Sequence, residues 1–324
     1  MTKHHDLGGR SAGPIDRVET TANHWQKRME AMRDCLARRP APVMHVDEMR
    51  RAIEELDSNL YARLSTYQRK TLAIRHVLLE KGVLDADEMN AEIDWWRRER
   101  EKDIEISATL PGRRDHDHDH DRTATELLTV DEYELISEAM ISGLIARGVL
   151  LPNDLRQGIE RAETAGPALG ADIVARAWTD ATFKARLLAS GKEALIAIGV
   201  DVLEAGIVAV ENTEGVHNLV VCTLCSCYPR SILGSPPAWY VGTAYRARAV
   251  REPRRVLAEF GLRLPDNVRV QVHDSTADMR YIVIPMRPSG TENWPMEKLR
   301  RLVTRDSLIG VAGALAAGEI EKES

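Results

Sequence analysis

Three of the chain's four cysteines fall within six residues, Cys222-Thr223-Leu224-Cys225-Ser226-Cys227. They directly follow an apolar, strand-like run, Asn218-Leu219-Val220-Val221. Three thiols this close cannot all be satisfied by disulfides within the segment, but all three can point at one metal. Thiolate is a soft ligand that favours zinc, iron or late transition metals over magnesium or calcium. A structural zinc site would want a fourth side-chain ligand. Cys35 is remote in sequence, and nothing in the spacing singles out His217 or His273. The Cys225-Ser226-Cys227 step offers another solution. Deprotonated amide nitrogens of Ser226 and Cys227 could complete a square with the thiolates of Cys225 and Cys227, and Cys222 would be axial. The sixth position is then open to water, as a catalytic metal requires. A purely structural metal site is the plainer alternative.

A loop of this kind needs a framework, and the pattern around it reads as α+β. Ile207 to Glu211 and Asn218 to Val221 are short β-rich runs. Val268, Val270 and Val272 alternate with Arg269, Gln271 and His273, the period of a half-buried strand. Tyr281 to Ile284 ends at Pro285, a strand stop. A last helix is expected around Trp294 to Val303. Upstream, residues 1–22 read as an extended arm. Met44 to Leu56 has helical spacing, with Asp47 as N-cap. Tyr67 to Leu79 repeats the pattern with Gly82 as C-cap. Asp85 to Arg100 is a third helix, closing with Trp95-Trp96, which would pack against the core or a partner subunit. Gly82-Val83-Leu84 and Gly148-Val149-Leu150 share one helix-stop chemistry. The chain therefore divides into a helical region over 1–100, a linker over 101–125 and a metal-binding domain over 126–324. Within the linker, Asp115-His116-Asp117-His118-Asp119-His120-Asp121 is too polar to bury. It reads as a solvated tether; a metal reservoir is the sharper alternative.

Composition narrows the rest. A net charge of −6 gives no general case for nucleic acid or membrane binding. No apolar run approaches the ~18–20 residues of a membrane span. The N-terminus lacks the apolar core of a secretory signal. Four cysteines in 324 residues are not a secreted disulfide framework. A cytoplasmic protein is expected.

Val221-Cys222-Thr223-Leu224-Cys225-Ser226-Cys227-Tyr228-Pro229 resembles the metal loop of nitrile hydratase α subunits and of the related thiocyanate hydrolase γ subunit. The resemblance continues through Ala177-Trp178-Thr179-Asp180, Val210-Glu211-Asn212-Thr213, Trp239-Tyr240, Arg248 to Arg254 and Met286-Arg287-Pro288, covering roughly residues 130–315. Thr223 and Tyr228 are similar to the cobalt branch, with iron the second choice. The resemblance implies Cys222, Cys225 and Cys227 as sulfur ligands, and Ser226 and Cys227 as amide ligands. It implies a sulfinic acid at Cys225 and a sulfenic acid at Cys227. Cobalt(III) there would polarise a nitrile-type nitrogen or activate water, with metal-bound water or the Cys227 sulfenate as nucleophile or base. His5 to Gly9, Gly13-Pro14-Ile15 and Val46 to Arg50 resemble the start of the family's β subunit. By that likeness Arg50 hydrogen-bonds the oxidised cysteines, as buried sulfur oxyanions require of a charged donor. The C-terminal half of a β subunit is missing, which implies a separate small subunit as partner and a metallochaperone or activator for cobalt.

The implied substrate is a small C≡N compound. Arg230 stands where these enzymes usually carry tryptophan. An ungapped count from Arg50 puts Thr66 at a pocket tyrosine, with Tyr67 beside it, and Lys70 at a frequent aromatic. Leu203 falls near a common glutamine. Arg230 and Lys70 would make the pocket cationic, which suits thiocyanate better than a neutral nitrile. Thiocyanate hydrolysis is therefore the expectation. Nitrile hydration and a metal carrier without turnover are the alternatives.

Overall fold

The computed structural model describes residues 5–18, 22–38, 41–109, 132–164, 166–224 and 227–320. Ser226, Cys225 and the His-Asp tract lie outside them. The chain divides into two packing units, one of residues 22–159 and one of residues 1–21 with 160–324.

The first unit is helical: α1 (His24–Arg38), α2 (Val46–Glu54), α3 (Ser58–Arg63), α4 (Thr66–Glu80), α5 (Ala86–Thr109), the largely buried α6 (Glu132–Ala146) and most of α7 (Pro152–Thr164). Their apolar faces meet around Met29, Met32, Leu36, Ile74, Leu78, Met140 and Leu144, each at most 1% exposed. Gly82 and Gly148 both take positive φ, +63° and +65°. The amides of Val83 and Val149 then turn back to the carbonyls of Leu78 and Leu144, which drops Leu84 and Leu150 into the core. This is the shared helix stop expected from the sequence. The N-cap of α2 is His45, not Asp47. The helix begins two residues earlier than an Asp47 cap would place it, and Glu48 accepts the His45 amide at 2.7 Å. Asp47 sits in the first turn instead, where its charge favours the helix dipole. Helix α5 runs past Arg100 to Thr109. Trp96 packs on the core, while Trp95 is 44% exposed.

The second unit is α+β. Helices α8 (Pro167–Thr179), α9 (Ala181–Ala189) and α10 (Gly191–Ile196) precede four short strands. β1 (Ile207–Glu211) pairs in parallel with β4 (Arg280–Ile284), and β2 (Val216–Val221) in parallel with β3 (Arg269–Asp274). Short helices α11 (Arg230–Leu233), α12 (Ala238–Val241), α13 (Thr243–Arg248) and α14 (Pro253–Glu259) fill the crossover from β2 to β3. After β4 come α15 (Met296–Arg300), α16 (Arg305–Ile309) and α17 (Ala317–Ile320). β2 is buried along nearly its whole length, so its second half, Leu219-Val220-Val221, is apolar without alternation, while His217 and Asn218 are buried polar residues. β3 is half-buried, which is why its valines alternate with polar residues.

Several family-like motifs carry structure here. Asp180 caps α9 through the Phe183 amide at 2.8 Å. The Trp178 indole donates to the Pro285 carbonyl at 2.9 Å, and Arg287 donates to the Trp178 carbonyl at 3.1 Å.

Candidate metal centre

The loop leaves the end of β2, so the position of Cys222 is set by the sheet. A buried polar lock holds that strand. Asn212 Oδ1 accepts the Asn218 amide at 2.8 Å and Asn218 Nδ2 at 2.9 Å. Its own Nδ2 must therefore face His217 Nδ1, 3.2 Å away. His217 Nε2 donates to the Gly310 carbonyl at 2.7 Å, which requires the neutral Nε2–H tautomer. Gly310 has φ +85°, and a Cβ there would stand 1.9 Å from the Asn218 carbonyl oxygen. His273 Nε2 lies 2.8 Å from Asn218 Oδ1. Burial pushes both imidazole pKa values down. The lock ties the β1–β2 turn, β2, β3 and the end of α16 into one frame.

Cys222 is fully buried and Cys227 is 8% exposed; neither is in a disulfide. The backbone of the loop is clamped by α12 and α13. The Tyr240 hydroxyl donates to the Cys227 carbonyl at 2.7 Å. The Tyr245 hydroxyl donates to the Val220 carbonyl at 2.6 Å. Arg246 sends Nε to the Cys222 carbonyl at 3.1 Å and Nη2 to the Thr223 carbonyl at 3.0 Å. Tyr240 and Tyr245 are both fully buried, and burial holds both phenols well above their usual pKa. They therefore act as neutral donors. Tyr228 packs edge-on to Tyr240 and Trp239 edge-on to Tyr245, each at 4.9 Å between ring centroids, and Phe260 stands edge-on to Trp239 at 4.8 Å. On the other side Thr223 gives its amide and hydroxyl to Asp274, at 2.9 and 2.6 Å. Burial raises the Asp274 pKa, and the two Thr223 bonds oppose that shift.

This donor set fits a thiophilic metal. Two buried thiols bracket the loop, and the carbonyls of their residues are taken up by Arg246 and Tyr240. Cys225 and Ser226, the remaining expected ligands, lie outside the described residues. Tyr240, Tyr245, Arg246 and Asp274 received no role from the sequence reading. Only the aromatic pair Trp239-Tyr240 marked the region, and nothing in the spacing tied it to the loop.

Of the expected pocket residues in this unit, Arg230 opens α11, three residues beyond Cys227. Leu203 is held beside that helix: its amide donates to the Ser231 hydroxyl at 3.0 Å, while the Ser231 amide donates to Glu204 at 3.0 Å. The structure thus brings Leu203 and the start of α11 together. The other expected residues belong to the helical unit. Arg50, on α2, pairs with Glu54 at 2.8 Å. Thr66 and Tyr67 sit in the first turn of α4, with the Tyr67 ring edge-on to Trp25 at 6.4 Å. Lys70 is not an open cation. Its ammonium lies 2.5 Å from Glu30, which also pairs with Arg33 at 2.9 Å, and all three side chains are at most 12% exposed.

The family model for the nitrile hydratase alpha chain matches residues 131–312, and that for the N-terminal part of the nitrile hydratase beta subunit matches residues 1–118. The second match is shared between the two packing units, since its first 21 residues pack with residues 160–324. A nitrile hydratase subunit alpha from Rhodococcus sp is 48% identical over 56% of this chain and 94% of its own length. A cobalt-containing nitrile hydratase subunit alpha from Pseudonocardia thermophila is 48% identical over 55% and 89%. The thiocyanate hydrolase subunit gamma of Thiobacillus thioparus is 41% identical over 56% and 80%. Among solved structures, a recombinant thiocyanate hydrolase with partially modified cobalt centres aligns with TM-score 0.55 and 40% identity, over 58% of this chain and 93% of that one. An Fe-type nitrile hydratase from Comamonas testosteroni Ni1 aligns with TM-score 0.53 and 40% identity, over 56% and 89%. The alpha-chain match spans more than half of the sequence and contains the whole clamped cysteine loop, so the chain belongs to the nitrile hydratase alpha-chain family of enzymes, with a segment of beta-subunit N-terminal type preceding that domain.

Proposed function

We propose that this chain is the metal-bearing subunit of a cobalt enzyme that adds water to a C≡N bond, with thiocyanate as substrate. Thiocyanate and two waters give carbonyl sulfide, ammonia and hydroxide. The observation that carries the reading is the buried loop, with Cys222 and Cys227 at its ends and its carbonyls held by Arg246 and Tyr240. Cys222, Cys225 and Cys227, with the amides of Ser226 and Cys227, would hold the metal, and bound there it would supply Lewis acidity. Cys225 as sulfinate and Cys227 as sulfenate complete the site, and the Cys227 oxygen acts as nucleophile or base. Arg50 serves as the charged donor to these oxygens. Arg230 and Leu203 shape the substrate side. Residues 1–100 act as a beta-type half and 126–324 as the catalytic half. A separate small subunit completes the assembly in the cytoplasm. No described helix is long and apolar enough to cross a membrane.

One observation favours nitrile as the alternative substrate. Glu30 neutralises Lys70, which leaves Arg230 as the cation expected to attract an anionic substrate. Purified with its partner subunit, the chain should carry one tightly held cobalt. Mass spectrometry of the loop peptide should show one added oxygen at Cys227 and two at Cys225. Turnover of thiocyanate against a small aliphatic nitrile then decides the substrate. Unmodified cysteines with exchangeable zinc would replace the enzyme by a metal carrier.

A further inference from the structure

The N-terminal arm reaches the metal loop. His5 and Leu7 are 3% and 7% exposed. The Leu7 amide donates to the Thr223 carbonyl at 3.2 Å, the same oxygen that Arg246 Nη2 holds. Arg246 Nη2 also reaches the His5 carbonyl at 3.5 Å, so one guanidinium bridges arm and loop. A local turn aims the Leu7 amide: Asp6 Oδ1 accepts the Gly8 amide at 3.1 Å, and the Arg10 amide returns to the Leu7 carbonyl at 3.1 Å. Gly9 takes φ +74° and ties its amide to the Ala247 carbonyl at 3.0 Å. Gly8 lies so close that a Cβ would stand 3.2 Å from Thr223 Cγ2. Farther along, the Gly13 carbonyl accepts from Arg248 at 3.0 Å and the Ile15 amide donates to Glu259 at 3.1 Å. The arm is therefore moored independently of its tip.

We infer that residues 5–9 form a clasp on the metal loop, with the Leu7 amide and Gly8 as positioning groups that hold Thr223 and slow the escape of metal from Cys222, Cys225 and Cys227. The inference rests on the reading of that loop as the metal site. Thr223 stands between two expected ligands, so movement of its carbonyl moves both. Partners outside the ligand sphere commonly change metal affinity by about 10–100-fold.

The test compares Leu7→Pro, which removes the amide donor, with Leu7→Ala, which keeps it. Cobalt release from the loaded, full-length protein into excess chelator is followed by elemental analysis. Leu7→Pro should release cobalt about tenfold faster than Leu7→Ala. Equal rates for the two variants overturn the clasp. Should Leu7→Pro fail to fold, Gly8→Ala carries the test. Its methyl presses on Thr223 and should speed release, and adding Thr223→Ser should restore slow release by removing the methyl it meets. No acceleration, or no restoration, overturns the clasp. A wild-type chain that holds no cobalt overturns both the metal reading and the clasp, whereas cobalt held equally by all variants overturns the clasp alone.

Discussion

Replacing Arg246 by methionine tests whether the clamp sustains the loop. Arg246 is 2% exposed and serves two loop carbonyls, those of Cys222 and Thr223. Thr223 keeps a second donor, the Leu7 amide, but for Cys222 the substitution removes the Arg246 donor in a residue that is fully buried. A hydrogen bond from a charged group contributes about 1.5–3 kcal/mol, and stranding a buried carbonyl costs about 1–3 kcal/mol. Removing the buried charge recovers part of its desolvation cost. The net loss should be about 2–4 kcal/mol, or roughly one and a half to three orders of magnitude in the folded-to-unfolded ratio. Urea unfolding of the metal-free protein reads this directly as a lower midpoint at constant slope. Arg246→Lys should recover only part of the loss, because one ammonium cannot reproduce the fixed fork of donors that meets both carbonyls. A change within about 0.5 kcal/mol, the range of ordinary surface substitutions, would refute the reasoning that these carbonyls depend on Arg246.

Three further outcomes are expected. Gly310→Ala should lose about 2–5 kcal/mol, since it combines a left-handed backbone with overlap against the Asn218 carbonyl; wild-type stability in urea unfolding would contradict the lock. His217 and His273 have folded pKa values below the usual imidazole value of about 6.5. Between the folded and unfolded values the unfolded chain binds more protons, so stability is complete above about pH 6.5 and falls as pH drops through that window. His217→Gln should flatten this slope, and an unchanged slope between about pH 7.5 and 5 would assign the loss to other groups. Arg230→Trp should lower thiocyanate turnover more than nitrile turnover; thiocyanate kinetics left as in the wild type would remove Arg230 from substrate choice.

The local signals were readable from the chain because their causes are local. Gly82 and Gly148 stop helices through a backbone conformation that glycine adopts freely, and the valines of β3 alternate because one face of that strand is half-solvated. The α2 boundary differs by two residues because His45 and Asp47 are both polar candidates for a cap, and only the reach of Glu48 decides between them. The charge on Lys70 was visible, but its partner was not. Glu30 lies forty residues away, on another helix, and no spacing rule links the two.

By itself, then, the sequence determined the donor set of the loop: three thiols in six residues after a buried strand, a set that suits a soft metal. It also determined the family, through motifs legible along the chain. Only the tertiary structure decided what holds that loop. Tyr240, Tyr245, Arg246, Asp274 and Leu7 come from α12, α13, β3 and the N-terminal arm, and they meet at Val220, Cys222, Thr223 and Cys227 because the parallel pairing of β2 and β3 requires a crossover that packs back over the sheet. Those hydrogen bonds go to backbone carbonyls and to a threonine. A backbone carbonyl is the same in every residue, so the sequence at the accepting position carries no mark of its donor.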